Sequence, residues 1–307
     1  MQDGSRRAIL AAFAANLGIA VAKFIGFLAT GAASMLAETV HSLADTSNQG
    51  LLLMGAKRAE RAKTHEHPFG YGRERYFWAF VAALVLFSMG SLFAITEGID
   101  KLRHPHQLES AGWAIGILVV ALALESWSMH TAIHEANKVR GETGWWAFIR
   151  QTKSPELPVI LLEDLGALVG LCFALVGVLM SIVLEDPRFD AMGSIAIGLL
   201  LGVIAAVIAV EMQSLLIGEA ASGSQARDIE HAIENSGPVK SLIHIRTLHL
   251  GPDELLVAAK VELDENLDFP GLAAAIDAIE ASIRDRVPIA RVIYIEPDVA
   301  RGPTLAL

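Results

Sequence analysis

The chain has 307 residues, of which 53% are hydrophobic, and a mean hydropathy of +0.46. A soluble domain cannot hide that much apolar surface, so composition points to a membrane. A net charge of −10 excludes the basic footprint that nucleic-acid binding needs, and one cysteine, Cys172, can build neither a disulfide framework nor a thiolate metal cluster. Lying in an apolar run, Cys172 reads as a small buried hydrophobe.

A helix crossing the hydrocarbon core takes about 20 mostly apolar residues. Six stretches meet that measure and are expected to span: 8–28, 33–56, 76–98, 111–133, 157–184 and 191–217. Arg6 and Arg7 precede the first, as in a signal peptide. The apolar run continues past Lys23 and Gly26 without a cleavage site, so it reads as a transmembrane helix. Within it Asn16 is expected to pack rather than ligate, and Lys23 to snorkel or to pair with Glu125.

The second stretch carries the chemistry. Glu38, His41, Asp45, Asn48 and Gln49 recur at steps of three and four, which places them on one helical face. A charged group at mid-membrane is costly unless it faces a partner or a water-filled cavity. His41 and Asp45 stand one turn apart and can reach one ion, with an imidazole nitrogen and a carboxylate oxygen as ordinary Zn²⁺ ligands. A hydrogen-bonded polar seam between helices is the competing reading. Glu38 suits a seam or a proton relay, and Asn48 and Gln49 suit helix packing.

The next loop carries Lys57, Arg58, Arg61, Lys63, Arg73 and Arg75. Its His65 and His67 have the wrong spacing for a metalloprotease motif. A loop shaped by Pro68, Gly70 and Gly72 is the leading reading, and a peripheral metal site the second. His104 and His106, in the opposite loop, are expected to be solvated. Glu125 falls mid-way along the fourth stretch, as a proton relay or as a partner of Lys23. The connection that follows holds Lys138, Arg140, Arg150 and Lys153 with Trp145, Trp146 and Phe148, either a short interfacial helix or an irregular loop. In the fifth stretch Glu163 and Asp164 are adjacent and so point about 100° apart. Asp164 is the expected third ligand, with Glu163 a fourth ligand or a supporting base. Basic residues concentrate in two loops on one side, so the N-terminus and everything from Glu219 onward are expected in the cytoplasm of a multi-pass protein, in a bacterial inner membrane.

From Glu219 the pattern is that of a soluble domain. Residues 225–235 have helical spacing, 239–250 and 254–263 read as strands around a Gly251-Pro252-Asp253 turn, 269–286 reads as a helix, and 292–295 as a last strand. The order αββαβ suits a small antiparallel sheet covered by helices, which dimerisation would help to stabilise. The expected organisation is an all-α six-helix transmembrane domain over 1–218 and a cytoplasmic α+β domain over 219–307, with metallochaperone-like or ferredoxin-like character.

These features together resemble the cation diffusion facilitator family. The resemblance rests on His41-xxx-Asp45 within the second helix, the loop from His67 to Arg75 reading HPFGYGRER, six spans, and a tail ending in Ile295-Glu296-Pro297. It implies a homodimer with metallochaperone-like cytoplasmic domains, each protomer holding a metal between helices two and five and exporting Zn²⁺ or a related ion against protons. The Glu163-Asp164 stretch and the Trp-bearing loop look like the zinc-transporter-nine-like branch. Ile160 stands where the family usually has a helix-five His, and Tyr294 and Lys260 stand where tail ligands often sit; His244 and His249 keep a weaker tail site open.

The function expected is alternating access around His41, Asp45, Asp164 and Glu163. Metal needs neutral imidazole and ionised carboxylates, so loading releases protons and acid expels the metal. No prosthetic group is expected; Zn²⁺ is cargo. Mn²⁺, Fe²⁺ or Co²⁺ as cargo, and a metal-binding scaffold without transport, are the alternatives. No nucleophile or hydrolase motif is visible, so an enzyme is not expected.

Overall fold

The structure is a computed structural model that describes residues 3–31, 33–105 and 111–300, except for the side chains of 3–12, 14, 15, 30, 33, 34, 37, 38 and 111. His106 and the Glu38 side chain therefore lie outside the described residues. The chain forms two compact units, one of residues 1–59 with 74–213 and one of 60–73 with 214–307.

The first unit is helical. It comprises α1 (Asp3–Thr30), α2 (Ala33–Ala59), α3 (Glu74–Val85), a π-helical segment (Leu86–Leu92), α4 (Phe93–Arg103), α5 (Ala111–Arg140), α6 (Trp145–Gln151), α7 (Glu156–Val183) and α8 (Arg188–Ile217). Among the described residues four runs are long and apolar enough to cross a membrane: Glu74–Arg103, Gly112–Arg140, Glu156–Val183 and Arg188–Ile217. α2 falls short because its polar stripe dilutes it, and α1 contributes the shorter apolar run Asn16–Ala29. Small residues such as Ala79, Ala82, Ala83 and Ala94 pack inside, while Phe24, Phe87, Trp127 and Val203 point outward. That inversion belongs to a multi-pass membrane protein, whose outer surface lipid covers. Cys172 is on this outer surface and not buried as its apolar neighbours suggested: an apolar run has a lipid-facing side as well as a packed one.

The expected third span is one run with a π-helical middle. Its Gly98 lies so close to α8 that a Cβ there would meet the Ala191 carbonyl at 2.8 Å, and on α8 a Cβ at Gly198 would meet the Ser91 carbonyl at 2.8 Å. Lys101 donates to Asp190 Oδ2 at 2.8 Å, a buried ion pair between the same two helices. The Trp-bearing connection is helical: Phe148 of α6 is buried with Ala132, Ala136 and Leu161 of α5 and α7. Arg140 caps it by stacking on Trp145 at 4.4 Å.

The second unit contains α9 (Gly223–Glu234), β1 (Val239–Gly251), β2 (Glu254–Leu263), α10 (Phe269–Arg286) and β3 (Ala290–Pro297). Ser222 and Gln225 form a reciprocal N-terminal cap on α9, and Asp268 caps α10. Alternate residues of β2, from Leu255 to Leu263, meet Ile229 and Ile233 of α9 and Ile279 and Ile283 of α10. The sheet order is β1-β2-β3, with β1/β2 antiparallel and β2/β3 parallel. The expected antiparallel sheet is thus a mixed one, because α10 carries the chain back across the sheet and returns it in the direction of β2. Segment 60–73 packs on the β1–β2 turn of this unit. Gly72 and Gly251 approach so closely that a Cβ at Gly72 would meet the Leu250 carbonyl at 2.6 Å.

Candidate functional site

The polar stripe of α2 is buried against its neighbours: His41, Asp45, Asn48 and Gln49 are each 5% exposed or less. The hydroxyls between them are satisfied locally, Thr39 donating to the Met35 carbonyl and Thr46 to the Ser42 carbonyl. The stripe is not. Among the described residues both ring nitrogens of His41, Asp45 Oδ1, Asn48 Oδ1 and Gln49 Oε1 are buried without a hydrogen-bond partner. His41 Nε2 stands 3.5 Å from Asp45 Oδ2, close enough for charge attraction but poorly aligned for a hydrogen bond. Each unmet polar group costs about 1–3 kcal/mol when buried. Along one helical face this leaves three amide or carboxylate oxygens and an imidazole with unmet hydrogen-bonding capacity.

Helix α7 packs on α2 and α5 and turns its two carboxylates to different partners. Glu163 Oε1 accepts from Asn48 Nδ2 at 2.7 Å, tying α7 to α2. Asp164 Oδ2 accepts from Ser128 Oγ of α5 at 3.0 Å. Both carboxylates are buried, and their divergence follows from the 100° step between adjacent helical residues. Glu125 of α5, also buried, acts electrostatically on Asp164 and on Asp45, as do Glu163 and Asp164 on Asp45. All the acidic groups named from the sequence, Glu38 apart, thus share one buried region. Among the described residues no three His, Cys, Asp or Glu side chains stand close enough to hold one ion together. Ile160, one turn before Asp164, packs beside the Ala132, Phe148 and Leu161 cluster.

One member of the region was not named from sequence, and for another the sequence left two readings open. Ser128 was not singled out, although it follows Glu125 by three residues and so shares its helical face. Lys23 neither snorkels nor reaches water: it is fully buried and donates to Ser42 Oγ of α2 at 2.8 Å.

The peripheral histidines are elsewhere. His65 and His67 are exposed in the 60–73 segment, where the His67 ring lies 4.6 Å from the Tyr71 ring and its backbone N–H donates to Thr64 Oγ1. His244 and His249 lie on opposite faces of β1, since the strand is regular between them, and do not form one site. Opposite His244 stands Lys260, whose ammonium bonds Glu296 and Asp298 at 3.0 Å each. Those bonds hold the Lys260 pKa above its ordinary 10.5, so a fixed cation occupies this face of the sheet.

Residues 9–217 match the model of the cation efflux transmembrane domain. The chain is 31% identical over 245 residues to the proton-coupled zinc antiporter SLC30A9, mitochondrial, of Mus musculus, covering 79% of this chain and 43% of that protein. It is 28% identical over 265 residues to metal tolerance protein C4 of Arabidopsis thaliana, covering 85% and 57%. With the cation-efflux pump FieF of Klebsiella pneumoniae it shares 25% identity over 287 residues, covering 94% and 90%. The chain spans less than half the length of the mouse relative.

Proposed function

Since the chain belongs to the cation efflux family, the cation diffusion facilitators, we propose that it exports Zn²⁺ across a membrane in exchange for protons by alternating access. The observation that supports this most is the column of buried polar side chains with unmet atoms on α2: His41, Asp45, Asn48 and Gln49. His41 and Asp45 supply the first two ligands. Asp164 and Glu163 complete the site once they leave Ser128 and Asn48, so metal entry is coupled to a shift of α7 against α2 and α5. Ligation needs a neutral imidazole and ionised carboxylates, so loading releases protons, and protons arriving from the acidic side expel the ion. The names of the mouse antiporter and of its relatives agree with zinc as cargo.

The remaining parts of the reading are finer. α1 and α2 complete six spans, the basic loops at 57–75 and 138–153 lie on the cytoplasmic side with both termini, and residues 219–307 form the cytoplasmic domain of a homodimer in a bacterial inner membrane. Glu38 and Glu125 serve proton transfer, and His65 and His67 belong to a shaped loop, with a peripheral metal contact as the second reading. The presence of Ile160 where a second imidazole would stand leaves an oxygen-rich set, which favours Mn²⁺, Fe²⁺ or Co²⁺ as rival cargo.

Reconstituted in liposomes, the protein should take up Zn²⁺ when the interior is acidic and not when the gradient is reversed. The H41A/D45A double variant should lose this flux. Full flux in that variant, or binding of metal without flux in the wild type, overturns the reading; a metal panel in the same assay ranks zinc against its rivals.

A further inference from the structure

Lys23 is an ammonium buried in the helical unit, with none of its surface exposed. A lysine within two turns of a helix end, as Lys23 is in α1, ordinarily extends its stem to the membrane interface. Here the ammonium turns inward to Ser42, the residue next to His41. On its other side lies an apolar groove between α1 and α5, bordered by Ile19, Gly116, Ile117, Val120 and Leu124, which offers a cation nothing. The charge of Lys23 acts on both His41 and Asp45. Glu125, Glu163 and Asp164 act on Asp45 from the opposite sign. A full charge buried in the helical unit needs charge of the opposite sign nearby, and the acidic cluster supplies it.

We propose that Lys23 is a resident counter-cation of the α2/α7 carboxylate site, a positioning residue whose fixed charge shares the acidic field with the transported metal and promotes its release. This inference rests on the transport reading above. An empty carrier with several buried carboxylates needs compensating positive charge while it changes conformation. Lys23 supplies one such charge permanently. When the divalent cation enters, the two like-signed charges repel through a poorly screened interior, which weakens binding and favours unloading. Ser42 tethers the ammonium at that station beside His41, so that loss of the tether frees the charge to leave the site.

The test is zinc-concentration-dependent flux in liposomes for wild type, K23M, K23R and S42A. Thermal melting of each purified variant checks its fold. Wild-type flux without any zinc dependence would mean that the transport reading itself has failed. Given wild-type zinc flux, K23M is expected to lower KM by about tenfold, as loss of a nearby unit charge in a weakly screened interior implies, and to lower kcat by at least as much. K23R should restore both values. A merely structural tie between α1 and α2 would instead lower kcat and stability with KM unchanged or raised, and that result overturns the proposal. Should K23M fail to fold, S42A decides: a lowered KM supports the counter-cation, and an unchanged or raised KM refutes it.

Discussion

At the scale of single residues, the site is a set of acceptors waiting on geometry. His41 and Asp45 already stand one turn apart, while Glu163 and Asp164 are held by Asn48 and Ser128. Ile160 occupies the position one turn before Asp164, where an imidazole would share that residue's helical face. I160H is therefore expected to tighten Zn²⁺ binding by more than tenfold and to slow turnover, because a ligand added to an ion that must leave retards its release. Titration against a competing chelator measures the first effect and liposome flux the second. Unchanged affinity would mean that the Asp164 face of α7 never meets the ion. Asn48 offers a second measurement. A hydrogen bond to a charged group contributes about 1.5–3 kcal/mol, so N48A should alter zinc affinity by about tenfold or more if Glu163 trades Asn48 for the metal. The pattern of steps of three and four made the one-sided, buried placement of His41 and Asp45 legible in advance. The direction taken by Lys23 was not, since a long flexible side chain on a helix can end at either side of its Cα.

At the scale of elements, two devices set the architecture. One is close packing of the third membrane run against α8 through Gly98 and Gly198, with the buried Lys101–Asp190 pair at one end. Replacing Gly198 by Val sets a branched side chain against the Ser91 carbonyl and Ile95. Overpacking of that kind costs about 1–3 kcal/mol, so G198V should lower the melting temperature of the purified protein by several degrees. A melt unchanged from wild type would show that the contact yields freely. The π-helical segment from Leu86 to Leu92 lies in this run and brings Ser91 to Gly198 and Gly202. Hydrophobic periodicity does not announce it, because the extra residue per turn shifts the pattern only locally. The other device is in the second unit, where α10 returns the chain so that β3 runs parallel to β2. The same order of strands and helices had suggested an antiparallel sheet; strand direction depends on how the crossover packs, which local pattern does not specify.

At the scale of the whole molecule, charge asymmetry argues for an orientation. The 57–75 and 138–153 loops and the C-terminal unit share one side in the reading proposed above. In a C172A background, which removes the single native thiol, cysteines placed at Glu66 and Glu280 should react with a membrane-impermeant reagent from the same side. One placed at Asp186 should react from the other. Labelling of Glu66 and Asp186 positions from the same side would overturn the topology. The sequence by itself determined that this chain enters a membrane, that α2 carries a polar stripe on one face, and that an αββαβ unit follows. Each of those rests on composition or on a period of a few residues, which neighbouring positions suffice to express. Only the tertiary structure decided that Glu163 and Asp164 bond different helices, that Lys23 turns toward Ser42, that β3 lies parallel, and that segment 60–73 joins the second unit. Those are choices among partners far apart in the chain, and packing in three dimensions selects them.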